Sequence, residues 1–312
     1  MDDFRSTPDS TDEKRPGYRL VSFLLFALGG WLIASFVAVL LVPVLLGVTP
    51  LYLASVQQNP SAHPEGWGPM MLLLSLVSLL TFVVTPVVYL TRVERRPLSD
   101  LNANPGLEWQ SVLIGMAVVI AFLPLIDLTI QWNQLLALPD WLAGTERWMK
   151  QQEDTLQELT QLLTRFETIP RLLIGLLVVA VIPAVGEELV FRGLLQNKLQ
   201  AVVRNPHVAI WTTAILFSAI HTQFYGFLPR MLLGALFGYL YHWSGNLWLP
   251  IAAHFTNNAS SVLVAFFFQR NGEGYAAENT PFATLPLVLA SLLVVSGLLF
   301  YLRNHYRPVR NA

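Results

Sequence analysis

Apolar stretches of membrane-spanning scale recur along this 312-residue chain, at 20–48, 69–91, 109–131, 171–190, 207–222, 226–242, 247–268 and 285–303. A bilayer core about 30 Å thick takes about 20 residues of helix, and a spanning segment must satisfy its backbone polar groups internally. The recurrence predicts an all-α fold, a polytopic membrane helix bundle of about eight transmembrane helices. Composition agrees: 54% of residues are hydrophobic and 12% charged, against about 25% charged in soluble domains. There is no cysteine, which excludes thiol catalysis, disulfides and thiolate metal sites. A net charge of −1 gives no argument for nucleic acid.

The runs divide the chain. Residues 1–19 form a polar segment, expected to be a disordered cytoplasmic tail ahead of a retained first helix; 20–131 hold three N-terminal transmembrane helices. Residues 140–168 carry Trp148, Met149, Leu156, Leu159, Leu163 and Phe166 at helical spacing among charged residues. That pattern predicts an amphipathic helix along the membrane surface, with a lid over a cavity as the sharper alternative. Residues 171–268 form a core of four transmembrane helices, and 285–312 a C-terminal helix with a basic tail. With both termini cytoplasmic, interior segments hold 13 of the 19 Lys and Arg, the bias expected of a cytoplasmic-membrane protein. The connection at 50–68 lacks Lys and Arg and reads as an exterior loop with Trp67 at the interface; Asp127 reads as an interface residue.

Within the fourth run, Glu187-Glu188 and Arg192 place ionisable groups at membrane depth, where they cost a few kcal/mol each and generally face a cavity and carry function. Glu188 and Arg192 are one turn apart, in the favourable order for an ion pair. Glu187 points about 100° away and is left for another role. The helix is expected to continue to Asn205-Pro206, since proline disfavours helix in the residue before it. A turn near residue 204 then sets Glu187 and His221 at matched depth, each about 25 Å from the turn. His254 and Asn258 share one face of the seventh run. Gly234 and Gly238 read as helix-packing residues.

Glu187, Glu188, Arg192, His221, His254 and Asn258 together exceed what packing requires. A dry carboxylate is a stronger base than one in water, an imidazole can share the proton of a water, and N–H groups from one helical face suit an oxyanion. Such a set fits peptide hydrolysis with water as nucleophile. The same groups could instead hold zinc, through Glu187, His221 and His254.

Three motifs carry a resemblance. Glu187-Glu188-Leu189-Val190-Phe191-Arg192, followed by Gly193, has the form E-E-x-x-x-R. Phe217-Ser218-Ala219-Ile220-His221 has the form F-x-x-x-H, and His254-Phe255-Thr256-Asn257-Asn258 the form H-x-x-x-N, after a Gly-Asn-Leu-Trp-x-Pro-Ile run at 245–251. Over about 182–261 the chain resembles the CPBP family (CAAX proteases and bacteriocin-processing enzymes, also called Abi), which are intramembrane endopeptidases. The resemblance implies that Glu187 activates water with His221, that His254 and Asn258 stabilise the oxyanion, and that Glu188 and Arg192 orient the site. The family is often labelled metalloprotease; a metal-free glutamate mechanism requiring no cofactor is the favoured expectation here, because no H-E-x-x-H pair exists. The partners implied are the lipid bilayer and a membrane-associated protein or peptide substrate. Two other readings remain: a proton- or ion-coupled transporter using the Glu/His chain, though no internal repeat is evident, and a catalytically silent membrane scaffold.

Overall fold

The computed structural model describes residues 16–106, 108–135, 137–270 and 284–306. The expected tail is thus mostly outside the described residues, as are the basic residues Arg307 and Arg310. Among those described there is no strand. The helices are α1 (Pro16–Leu46), a short α2 (Pro50–Gln58), α3 (Pro64–Val93), α4 (Trp109–Gln134), α5 (Ala143–Leu163), α6 (Ile169–Val203), α7 (Pro206–Ala219), α8 (Phe227–Ser244), α9 (Trp248–Arg270) and α10 (Leu285–His305). The chain is an integral membrane protein built as a helical bundle. Every run read from the sequence is helical, but by length and apolar composition six helices can cross a membrane: α1, α3, α4, α6, α9 and α10. With its 14 residues, α7 is only about 21 Å long. Helix α8, 18 residues with Arg230 near its start, falls outside those six.

α6 is the axis of the fold. Its 35 residues span about 52 Å, more than a bilayer core. It ends where the sequence predicts: Arg204 takes a left-handed φ of 55°, and the Asn205 side chain accepts from His207 N and Val208 N to start α7. Pro206 occupies the first turn, where its missing N–H costs nothing. α7 and α8 form a hairpin against the second half of α6, while α9 packs on its first half and on α4. α6 also crosses α3 closely, because a Cβ on Gly186 would lie 2.7 Å from Phe82 Cβ. Only glycine permits that approach.

α6 is not uniformly α-helical. Residues 176–181 and 189–196 form π-helical turns, which widen the backbone and are frequent at functional sites. The carboxylate pair lies in the α-helical segment between them.

The connection at 97–106 locks onto the turn before α9. Asn102 Oδ1 accepts from Leu247 N at 2.7 Å, Asn246 Nδ2 donates to Asn104 O at 2.7 Å, and Asn104 N donates to Gly245 O at 3.0 Å. Gly245 has φ of 62°, in the left-handed region that favours glycine at a helix end. These bonds fix the entry of α9 and so the position of His254, two turns on.

The amphipathic α5 is confirmed as a helix. Leu162 at its C-terminal end is buried with Val56, Trp67 and Phe166. Trp67, expected at the interface, is packed inside the protein: it is buried, donates Nε1 to Leu163 O at 3.1 Å, and lies under the Arg171 guanidinium at 4.9 Å. A fold-back of α5 onto the start of α3 was not legible from the local pattern at 50–68. That connection also contains α2, capped by the Thr49 side chain on Tyr52 N.

Candidate active site

Glu187, Glu188, Arg192 and His254 are all buried, Glu188 and Arg192 completely. Arg192 Nη1 donates to Glu188 Oε1 at 2.8 Å, the expected one-turn ion pair. Nη2 reaches across to Gly234 O at 2.8 Å. The guanidinium also lies over the rings of Phe217 (4.8 Å) and Phe237 (5.5 Å). A fully buried Arg–Glu pair is costly unless its remaining groups find partners; Gly234 O and the two rings serve the Nη side of the guanidinium, while Arg192 Nε and Glu188 Oε2 are buried without a hydrogen bond.

One turn along, Gln196 Nε2 donates to Gly238 O at 3.1 Å. Gly234 and Gly238 therefore do more than pack. Their lack of a Cβ lets α8 sit close to Ala214 and Phe217 of α7 and to Gln196 of α6, and their carbonyls accept from Arg192 and Gln196. The sequence reading missed Gln196; its i+4 spacing from Arg192, matched by the glycine pair, was the available signal.

His254 joins both carboxylates. Its Nδ1 is 2.8 Å from Glu188 Oε1, and its Nε2 is 3.8 Å from Glu187 Oε2. The carboxylate paired with Arg192 accepts, so Nδ1 carries a proton, and Nε2 faces Glu187. A carboxylate that fixes an imidazole tautomer while the other nitrogen faces the reaction is a familiar catalytic device. The ring is held flat against Phe237, with centroids 5.0 Å apart and planes at 18°.

His221 follows directly on α7. Its Nδ1 donates to Phe217 O at 2.8 Å, which leaves Nε2 as an acceptor. Both imidazoles lie edge-on to the Phe217 ring, His221 at 5.1 Å and His254 at 6.0 Å. The imidazole that the structure places against Glu187 is thus His254, whereas the sequence reading paired Glu187 with His221. Matched depth along two helices fixes height but not which residue of a third helix intervenes.

Asn258, one turn beyond His254, donates Nδ2 to Val179 O at 3.1 Å, within the first π-helical turn, and its Oδ1 accepts from Asn257 Nδ2. One of its two amide N–H groups remains available. The structure therefore gathers Glu187, Glu188, Arg192, His254 and Asn258 between α6 and α9, with His221 across the Phe217 ring.

A catalytic zinc site takes three protein ligands. Among the described residues, no group of three or more His, Asp or Glu side chains is placed to hold a metal ion. As placed, Glu187, His221 and His254 do not form the zinc site that the motifs would offer, and the chemistry below runs on the side chains alone.

The fold and this cluster define a helical membrane protein with a buried carboxylate–imidazole site. Residues 169–260 match the family model described as type II CAAX prenyl endopeptidase Rce1-like. That stretch holds all six site residues, and over it the chain is similar to the Rce1-like family, consistent with the CPBP resemblance. The chain is also similar to uncharacterized protein YpbD of Bacillus subtilis (strain 168), 34% identical over 80 residues. The match spans 24% of this chain and 38% of that relative's length. No solved structure matches.

Proposed function

We propose that this protein is an intramembrane endopeptidase that hydrolyses a peptide bond of a membrane-associated protein or peptide. The observation that carries the reading is the two-sided setting of His254, bonded to Glu188 on one face and 3.8 Å from Glu187 on the other. A separation of that length is beyond a direct hydrogen bond, and the reading puts the attacking water beside these two groups. Glu187 takes one proton from that water as its oxygen bonds to the scissile carbonyl carbon. The carbonyl oxygen becomes an oxyanion, which the free N–H of Asn258 is suited to meet. The C–N bond then breaks, and the proton held by Glu187 passes to the leaving amine. His254 keeps the water in line and buffers the proton through Nε2, while Glu188 and Arg192 hold the ring in place. His221 presents a second Nε2 acceptor to the substrate side. No cofactor enters this sequence of steps.

The reading places the chain in the cytoplasmic membrane with both termini cytoplasmic, on the Lys/Arg bias, and gives it no nucleic-acid partner. The family description names prenyl substrates; here the substrate class is left at membrane-associated peptides. The test is a comparison of membrane peptide profiles from cells carrying wild type and Glu187→Gln at equal expression. Peptides found only with wild type support hydrolysis. Identical profiles would favour a transporter or a silent scaffold.

A further inference from the structure

The bonds that lock α8 to α6 share one register. Arg192 to Gly234 and Gln196 to Gly238 are each separated by 42 positions, so the two helices run parallel with that offset. One turn earlier, the same offset sets Arg230 at the level of Glu188, beside Glu187. Arg230 is half-buried in the first turns of α8. Its Nη2 donates to Gln223 Oε1 and its Nη1 to Gly226 O. Both acceptors are neutral, and a guanidinium has five N–H donors. None of the described ion pairs includes Arg230, although its charge acts on both Glu187 and Glu153. An enclosed cation held only by neutral groups is a ready receptor for an anion.

Helix α5 brings a carboxylate to the same place. Glu153 Oε2 accepts from Tyr225 N at 3.5 Å, and Trp148 lies edge-on to Phe224 at 5.4 Å. The 224–228 segment beneath is pinned from α4, where Asn133 donates to Phe224 O at 2.8 Å and accepts from Leu228 N at 3.1 Å. The surface helix thus covers the loop between His221 and Arg230, with Glu153 aimed at the loop.

We infer that Arg230 is a specificity-determining residue that binds a carboxylate of the substrate beside the bond to be cut, with Glu153, bonded to the neighbouring Tyr225 N, as an internal carboxylate that competes for the same charge. The inference rests on the hydrolase reading above. A substrate carboxylate next to Glu187 would be repelled without a cation, and Arg230 removes that repulsion while fixing the peptide's register. The carboxylate can be a chain terminus or an Asp or Glu side chain.

The test uses the full-length protein in nanodiscs and a short, fluorescein-labelled apolar peptide in three forms: ending in a free carboxylate, ending in a carboxamide, and ending in a carboxamide with Glu as the last residue. Anisotropy is expected to show wild type binding at least one acid form about ten- to a hundredfold more tightly than the plain amide. Which acid form it is identifies the source. In Arg230→Gln the preference collapses toward unity; Arg230→Lys retains part of it, as a point charge without the planar fork; Glu153→Gln strengthens binding of the acid form. Equal binding of all three peptides by wild type, or an undiminished preference in Arg230→Gln, overturns the inference. Should Arg230→Gln not fold, Arg230→Lys and Glu153→Gln decide, and unchanged acid preference in both overturns it. Binding is read without turnover, so a protein that keeps the preference yet cuts no peptide contradicts the hydrolase reading and leaves the carboxylate site standing.

Discussion

His254 and Glu188 meet through Nδ1 and Oε1 at 2.8 Å, across 66 positions of sequence. The same carboxylate oxygen accepts from Arg192 at 2.8 Å. Glu188 is therefore the joint between the ion pair and the imidazole, and Glu187 beside it is left facing Nε2. Two adjacent glutamates take different roles because a helix turns them about 100° apart.

Removing Arg192 should be costly to folding. Arg192→Ala leaves Glu188 a buried carboxylate without its guanidinium, held only by His254 Nδ1, and losing one partner of such a pair costs about 3–5 kcal/mol. Thermal unfolding in detergent and membrane yield should both fall sharply. Arg192→Lys should rescue little, since a point charge cannot reproduce the fork that spans Glu188 and Gly234. Wild-type yield and melting from Arg192→Ala would show that the pair is not formed.

The packing of α8 against α6 and α7 should resist even a methyl group. A Cβ on Gly238 would lie 2.9 Å from both Gln196 Oε1 and Ile210 Cγ2, and one on Gly234 would lie 3.2 Å from the backbone at Ala214. Gly238→Ala and Gly234→Ala are expected to destabilise by about 1–3 kcal/mol each. Gly29→Ala, which meets nothing within 4 Å, serves as the control and should melt with wild type. Melting temperatures of the three variants decide the point.

Asn133 should matter although it lies far from the carboxylates in sequence. It is buried and satisfies both a carbonyl and an N–H of the 224–228 segment. Asn133→Leu strands both groups, at about 1–3 kcal/mol apiece if they stay buried. Limited proteolysis should then cut near Phe224 faster than in wild type; equal rates would mean the segment is held by other contacts.

Peptide cleavage by the purified protein should survive chelator treatment. His254 Nδ1 and His221 Nδ1 are committed to Glu188 and Phe217, and the proposed proton transfers need only Glu187, His254 and Asn258. Complete loss of activity in chelator, restored by stoichiometric zinc, would refute the metal-free mechanism.

Much of this arrangement was legible because it is local. Glu188 with Arg192, and His254 with Asn258, each lie one turn apart, and helical geometry alone sets them on shared faces. The end of α6 was marked by Asn205-Pro206. What could not be read are contacts between helices. The bond from Glu188 to His254 depends on how α9 is rotated, which the 97–106 connection fixes through Asn102 and Asn104. Gln196 looked like an ordinary polar residue until Gly238 offered it a carbonyl. Arg230 drew no notice in the sequence, falling among the six Lys and Arg outside the interior segments, because positive-charge bias weighs side chains by position in sequence and not by burial. The short α7 exposes the limit of counting apolar runs: a helix of 14 residues is too short to cross a bilayer core, yet it is apolar even on its outer face, where Val208, Trp211, Ile215 and Leu216 are exposed.

The account depends on Glu187 transferring a proton from water to a leaving amine. The most direct measurement is mass spectrometry of peptide termini released by the protein in proteoliposomes, with membrane extract as substrate, in water enriched in oxygen-18. Wild type should generate new C-terminal carboxylates that carry the heavy isotope, and Glu187→Gln, at equal folded yield, should lower their rate of appearance by about a hundred- to ten-thousandfold. Labelled termini formed by Glu187→Gln at the wild-type rate would contradict the role given to Glu187.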